Sequence, residues 1–145
     1  LDENPAEVVA MTADAGLGAG VEDNVMSVWA MLSGAQVMAH ESFTHGFAGT
    51  GIEIHGTEGS IFARNVMTGR PVGEVTLVTQ TGAEAIPFED HSLYHRSVRL
   101  FTEATQGQGR PAADGEDGIR SLAVALAVAE AARTGRRTPV DYGGI

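Results

Sequence analysis

The sequence predicts an α+β domain: a mostly antiparallel open sheet with two main helices packed on one face. Short strand-like runs fill the first half of the chain, and two long segments of helical periodicity lie in the second half. Ser33-Gly34 separates two alternating runs, which is typical of an antiparallel hairpin. The other face of such a sheet is left open. If it carries Trp29, Met31 or Val75, a second copy of the chain is the simplest cover.

The strands are predicted from runs of apolar and β-branched residues. These runs cover residues 7–12, 24–32, 35–43, 74–80 and 138–142. The stretch 52–63, Ile-Glu-Ile-His-Gly-Thr-Glu-Gly-Ser-Ile-Phe-Ala, is predicted to form strand, tight turn and strand. A phosphate-binding loop is less favoured there, because a strand-like run and not a helix follows the second glycine. Gly56 and Gly59 are expected to supply the positive φ angles of the turn.

The first helix is predicted over residues 92–106. Asp90 or Ser92 can cap its start, and Gly107 can end it. Its expected apolar stripe contains Leu93, Ser97, Leu100, Phe101 and Ala104.

The second helix is predicted over residues 116–134. Asp114, with Asp117 three residues later, makes an approximate capping box, and Gly135 stops the helix. One apolar stripe is formed by Ile119, Leu122, Leu126 and Ala129, and a second by Val124 and Val128. Because apolar residues occur on nearly every side of this helix, it is expected to be buried on most sides.

Composition narrows the class of protein. The 145 residues suit one domain, with 43% hydrophobic residues and no cysteine. The net charge is -10, and all nine basic residues are arginines. Such a chain is a poor candidate for binding nucleic acid or an anionic membrane. A signal peptide and a membrane-spanning run are not recognisable, so a cytoplasmic location is expected.

The polar motifs do not make a complete active site. Gly16-Leu17-Gly18-Ala19-Gly20 has G-x-G-x-G spacing and precedes a strand, so a nucleotide site is rejected. His91 and His95 lie four residues apart at a helix start, where a solvated or hydrogen-bonded role is favoured over metal ligation. His45 lies in a loop, where ligand-contacting residues are common. No catalytic or metal-binding residue is predicted.

Three segments nevertheless resemble a known family. They are Ile-Glu-Ile-His-Gly-Thr-Glu-Gly-Ser-Ile at 52–61, Asp-Gly-Glu-Asp-Gly-Ile-Arg-Ser-Leu at 114–122 and Ala-Ala-Arg-Thr-Gly-Arg at 131–136. Together they resemble the C-terminal domain of the glucose–fructose oxidoreductase, inositol dehydrogenase and MocA-like family, and the similarity covers nearly the whole chain.

The resemblance implies that residues 1–145 are the substrate-binding and dimerisation domain of an NAD(P)-dependent dehydrogenase acting on a sugar, cyclitol or related polyol. In the family a Rossmann domain binds NAD or NADP, and a Glu-Lys-Pro lysine and an Asp-x-x-x-His pair handle the hydroxyl proton. This chain has no lysine and does not begin with Met. An excised domain is therefore expected, with the Rossmann domain missing, no cofactor bound to this chain and no catalysis by it alone.

The resemblance also implies where the substrate and a second subunit would bind. Family members often place a Tyr about seven residues before the helix Phe, which corresponds to Tyr94 before Phe101. His91 and His95 flank that position, and His45 is a weaker candidate for substrate contact. Homo-oligomerisation through the open sheet face is expected. The alternative is a non-enzymatic, self-associating α+β module that binds a carbohydrate or protein partner.

Overall fold

The computed structural model describes residues 3–89 and 91–144. In chain order the elements are β1 (Pro5–Ala13), β2 (Asn24–Met31), β3 (Gln36–Ser42), β4 (Gly51–His55), β5 (Gly59–Arg64), β6 (Glu74–Thr79), β7 (Gly82–Ala85), α1 (Leu93–Thr105), α2 (Gly115–Thr134) and β8 (Thr138–Pro139). Of the described residues, 3–46 and 113–144 form a first compact unit, and 47–89 with 91–112 form a second.

The α+β class is confirmed, and neighbouring strands pair antiparallel as predicted. The described strands form two sheets where one open sheet was expected. The first sheet has the order β3-β2-β1-β8 and carries α2, and the second has the order β4-β5-β6-β7. α1 belongs to the second unit, and none of its residues is buried.

Strand β7 was not predicted from the sequence. Its residues, Gly-Ala-Glu-Ala, lack the β-branched and aromatic side chains that favour strands. It forms because the chain turns tightly after β6 and pairs back along it, with Thr79 opposite Gly82. The strand is therefore specified by the turn and by the free edge of β6.

The core of the first unit lies between α2 and the first sheet. Val8 of β1 packs with Ala127 and Ala131 of α2, and Trp29 and Val128 pack against this cluster. The buried helix positions Ala123, Ala127 and Ala131 follow at intervals of four residues. Such a row of small side chains lets the helix backbone approach the sheet closely.

The prediction that α2 is buried on most sides is wrong for this chain. Leu122 and Leu126 are 59% and 62% exposed, and Ile119 is also exposed. The sheet is contacted by the alanine row, and the larger aliphatic stripe lies away from it. Helical periodicity identified the stripe of Leu122 and Leu126 and that of Val124 and Val128, but not the alanine row. It also does not tell which side of the helix faces the sheet.

The open face of the first sheet carries an apolar patch, which we call the methionine face: Val9, Met11, Met26, Val28 and Met38. The register makes these residues neighbours, since Val9 lies opposite Val28 and Met11 opposite Met26. All five are exposed, Met38 at 86%. An open face carrying Trp29, Met31 or Val75 was expected, but Val75 lies in β6 of the second sheet. Trp29 lies on the opposite, helix-covered face.

The segment 52–61 forms the predicted strand, turn and strand, with the Gly56 N–H donating to the Gly59 carbonyl at 2.9 Å. The expected positive φ at Gly56 and Gly59 is wrong, since neither residue is in that region. Gly59 is required for a different reason: a Cβ there would lie 2.7 Å from the Val78 carbonyl oxygen of β6. A close backbone approach, and not turn geometry, selects this glycine.

The helix ends agree with the sequence analysis. Ser92 caps α1 by accepting the His95 N–H, while the alternative cap, Asp90, lies outside the described residues. Asp114 and Asp117 form a full capping box at the start of α2. Gly135 ends α2 in the left-handed conformation, with φ at 64°.

Candidate functional site

The start of α1 brings together three of the residues expected to contact a ligand. His91 lies just before the helix, and Tyr94 and His95 lie in its first turn. Because the Ser92 hydroxyl accepts the His95 N–H at 3.3 Å, the backbone of this turn is held by its own cap. The Tyr94 and His95 side chains are both exposed, Tyr94 at 70%.

Tyr94 lies against the loop that joins β5 to β6. Its hydroxyl oxygen is so close to the Gly69 backbone that a Cβ at Gly69 would lie 2.8 Å from it. The glycine therefore makes room for the end of the phenol ring. An exposed phenol held in this way presents a flat apolar face and a hydroxyl, which suits contact with a sugar ring.

His91 is half-buried and hydrogen-bonded on both sides. Its Nδ1 lies 3.0 Å from the Glu89 carbonyl oxygen, and its Nε2 lies 3.5 Å from Nη1 of Arg96. A carbonyl oxygen can only accept, so these partners assign the ring proton to Nδ1 and leave Nε2 to face the guanidinium. The structure thus gives His91 a role in holding Arg96, beyond the ligand contact that the sequence suggested.

Two arginines beside these residues were not predicted from the sequence. Arg70 and Arg96 line a common cleft of about 370 Å³ together with His91. The two arginines are 26 positions apart in sequence, so no local spacing indicates that they meet. In the sequence, Arg70 is seen only as part of a Thr-Gly-Arg-Pro turn, and Arg96 only as an arginine one turn into a helix.

His45, the weaker candidate, lies in the first unit. Its ring makes an edge contact with the ring of His40, with centroids 5.1 Å apart. His40 lies at the end of β3 beside the methionine face, opposite Met26. The structure therefore gives His45 a neighbour at the rim of that apolar face.

The glycine-rich loop after β1 wraps around a carboxylate of its own chain. The buried Asp23 accepts hydrogen bonds from the N–H groups of Ala15, Leu17 and Gly18 at 2.9, 2.9 and 3.3 Å. The Ala15 bond, with those from Leu17, Gly18 and the Asn24 side chain, lowers the pKa of Asp23 against the opposing effect of burial. Since these donors serve Asp23, the loop does not fit a dinucleotide pyrophosphate.

A second, mainly apolar groove of about 520 Å³ lies in the first unit between α2 and the helix-covered sheet face. Trp29 and Val25 line it from the sheet, and Val124 and Val128 line it from the helix. Arg120 also lines it and pairs with Glu116 at 3.0 Å. The groove is thus apolar inside and charged near the start of α2.

Within residues 3–89 and 91–144, no group of three His, Asp or Glu side chains is arranged to hold a metal ion. No helix in the same described residues is both long and apolar enough to cross a bilayer.

Residues 2–141 match the family model described as "Oxidoreductase family, C-terminal alpha/beta domain". The chain belongs to the glucose–fructose oxidoreductase, inositol dehydrogenase and MocA-like family. It is 46% identical over 144 residues to the 1,5-anhydro-D-fructose reductase of Ensifer adhaerens, covering 99% of this chain and 43% of that protein. The chain therefore spans less than half the length of this relative.

Solved structures of oxidoreductases share the fold. The aldose-aldose oxidoreductase of Caulobacter crescentus, complexed with glycerol, superposes with a TM-score of 0.83 at 18% identity, over 94% of this chain and 42% of that one. An oxidoreductase of Agrobacterium radiobacter, in complex with NAD+, L-tartaric acid and magnesium, gives a TM-score of 0.72 at 19% identity, over 94% and 44% of the two chains. At such identities the likeness establishes the fold alone.

Proposed function

We propose that this chain is the substrate-binding and dimerisation domain of an NAD(P)-dependent oxidoreductase. The parent enzyme would transfer hydride between a sugar, cyclitol or related polyol and a nicotinamide cofactor, in the cytoplasm. The observation that carries the proposal is the 46% identity to a sugar reductase across 99% of the chain. A nucleotide-binding domain would lie in the part of the parent protein outside these 145 residues.

The chain's own residues support a parent enzyme in which this domain binds the substrate and another domain binds the cofactor. The N–H groups of the glycine-rich loop donate to Asp23, which supports a cofactor site in the other domain. The NAD+ named for the Agrobacterium structure is consistent with a nicotinamide cofactor. The chain has no lysine, so the family's catalytic lysine would also come from outside it.

The proposed task of this chain is to bind and orient the substrate at the start of α1. Tyr94 would stack on the sugar ring and hydrogen-bond one of its hydroxyls. His95 is exposed one residue further along and can donate or accept a second hydrogen bond. His91 would act mainly through Arg96. His45 remains the weaker candidate for substrate contact.

The experiment is a steady-state assay of the full-length gene product that contains this chain. We expect oxidation of NADPH or NADH with 1,5-anhydro-D-fructose or a related sugar. Tyr94→Ala should lower kcat/KM by about tenfold or more and Tyr94→Phe by less, since Phe keeps the ring and loses the hydroxyl. Unchanged kcat/KM in both variants would remove Tyr94 from the site, and no turnover with any sugar or polyol would refute the function.

Dimerisation is proposed through the methionine face. Its five exposed apolar side chains lie side by side on paired strands, and contiguous apolar surface of this kind marks interaction sites. In sedimentation experiments Val28→Glu should give monomers. Leu122→Glu is the control, because Leu122 is an exposed apolar residue on α2, 59% exposed against 40% for Val28. A dimer that survives Val28→Glu but not Leu122→Glu would assign the interface to the helix.

A further inference from the structure

The cleft beside α1 in the second unit carries two guanidinium groups, of which the proposed function includes only Arg96, as the partner of His91. One wall is the loop between β5 and β6, and the other is the segment that enters α1. The lining residues are Val66, Arg70, Pro71, Val72, Phe88, Glu89, His91, Leu93 and Arg96. The charged residues among them are two arginines and one glutamate, in a chain whose net charge is -10.

Arg70 is held at the backbone by a tight turn. The Thr68 hydroxyl donates to the Arg70 carbonyl at 2.8 Å and accepts the Arg70 N–H at 3.2 Å. The Val72 N–H donates to the same carbonyl at 2.9 Å. These three hydrogen bonds fix the point from which the Arg70 side chain extends along the cleft wall.

Arg96 is held through its side chain. His91 donates from Nδ1 to the Glu89 carbonyl and places its Nε2 3.5 Å from Nη1 of Arg96. One guanidinium N–H is thus directed at the imidazole, and the remaining donors stay available for a ligand. His91 is in this respect a positioning residue for Arg96.

Neither arginine is neutralised by a carboxylate of the described chain. Arg99 pairs with Glu103, and Arg120, Arg133 and Arg137 each pair with a carboxylate as well. Among residues 3–89 and 91–144 no such ion pair involves Arg70 or Arg96. The first turn of α1 contains no acidic residue either, so the positive end of the helix dipole adds to the field at the cleft.

We propose that this cleft binds the oxyanion of an anionic substrate, a phosphate or a carboxylate carried by the sugar. Two guanidinium groups on separate walls present forked donors that match the oxygens of either group. Leu93, the first residue of α1, lines the cleft, and so does Arg70, the neighbour of the Gly69 that Tyr94 contacts. An oxyanion in the cleft would therefore lie near the phenol proposed to stack on the sugar. That the anion is attached to a sugar rests on the proposed function; that the cleft binds an oxyanion does not.

The test is an NMR titration of the 145-residue chain with glucose 6-phosphate, gluconate and glucose. We expect saturable shifts at the arginine Nε–Hε signals with one or both anions, and none there with neutral glucose. Binding by glucose 6-phosphate alone would identify a sugar phosphate, and binding by gluconate alone a sugar acid. Either result supports the proposal.

The variants assign the binding to the cleft. Arg70→Gln and Arg96→Gln should each weaken binding by about tenfold, the scale of a lost charge-assisted contact. Arg99→Gln, three residues along the same helix and paired with Glu103, should bind like wild type. His91→Gln should weaken binding less than Arg96→Gln, because it removes only the group that orients the guanidinium.

Absence of saturable binding by both anions would overturn the inference, as would equal weakening by Arg99→Gln. Failure of this inference can be distinguished from failure of the proposed function. If the full-length protein reduces a neutral sugar while the chain binds neither anion, the function stands and this inference fails. If the chain binds an anion through Arg70 and Arg96 but the full-length protein shows no nicotinamide-dependent turnover, the cleft stands and the function fails.

Discussion

Replacing Gly59 by alanine should weaken the second sheet, whereas the same change at Gly56 should not. A Cβ at Gly59 would lie 2.7 Å from the Val78 carbonyl oxygen and 3.2 Å from Cγ2 of Thr79. A Cβ at Gly56 would meet only the Gly59 carbonyl oxygen, at the ordinary contact distance of 3.6 Å. Neither glycine has a positive φ, so the difference between the variants isolates the close approach of β6.

The expected magnitude follows from two opposing effects. Forcing an added methyl against a backbone carbonyl costs about 1–3 kcal/mol, because the strands must separate or the turn must distort. Restricting the unfolded chain gives back about 0.4–1 kcal/mol. Gly59→Ala should therefore lose about 1–2 kcal/mol of local stability, and Gly56→Ala should be neutral or slightly stabilising.

The assay must report on the second unit. The single tryptophan, Trp29, lies in the first unit, so its fluorescence is unsuitable. Amide hydrogen exchange of the residues that pair β5 with β6 is suitable, because it measures local opening directly. A loss of 1–2 kcal/mol corresponds to roughly 5- to 30-fold faster exchange. Equal exchange rates in the two variants would refute the argument from the Val78 carbonyl.

Three further expectations concern other parts of the chain. The pKa of Asp23 is lowered, so its carboxylate stabilises the glycine-rich loop at pH values above the ordinary carboxyl pKa. This stabilisation is lost as the pH falls through the lowered pKa. Asp23→Asn should therefore abolish that acid transition in an NMR pH titration of the loop amides. Val8→Ala removes two buried methyl groups and should lower the free energy of unfolding by about 2–3 kcal/mol. Urea unfolding followed by tryptophan fluorescence measures this loss. Val9→Ala, on the exposed face of the same strand, should lower it by well under about 1 kcal/mol. Gly69→Ala should displace the end of the Tyr94 ring, since the added Cβ would lie 2.8 Å from the hydroxyl. The KM of the full-length enzyme should rise about three- to tenfold with little change in stability. An unchanged KM would show that Gly69 has no part in substrate binding.

The local features of the fold follow closely from the sequence. The hairpin between β2 and β3, the capping box of α2 and its left-handed Gly135 were all predicted from short patterns, and the structure confirms them. Each depends on the conformational preferences of a few adjacent residues, which no distant contact has to supply. Strand β7 shows the limit, because its residues carry no strand preference and only the edge of β6 makes them a strand.

The candidate site was predictable only in part. Tyr94, His91 and His95 were named as candidates because they lie at a recognisable helix start, at a position to which the family resemblance points. Arg70 and Arg96 were missed because each is an ordinary surface arginine in its own segment. Their significance depends on the loop after β5 folding against the entry to α1, which no local spacing encodes.

The sequence by itself determined the α+β class, most of the strands, both helices with their caps, and the family, since periodicity, turn residues and short motifs are properties of neighbouring residues. Tertiary structure decided which stripe of α2 faces the sheet, where the alanine row is buried and Leu122 and Leu126 are left exposed. It also decided why Gly59 is glycine and that two distant arginines share a cleft. The physical reason is the same in each case: close packing and charge pairing depend on distances between atoms far apart in the chain, and those distances exist only after folding.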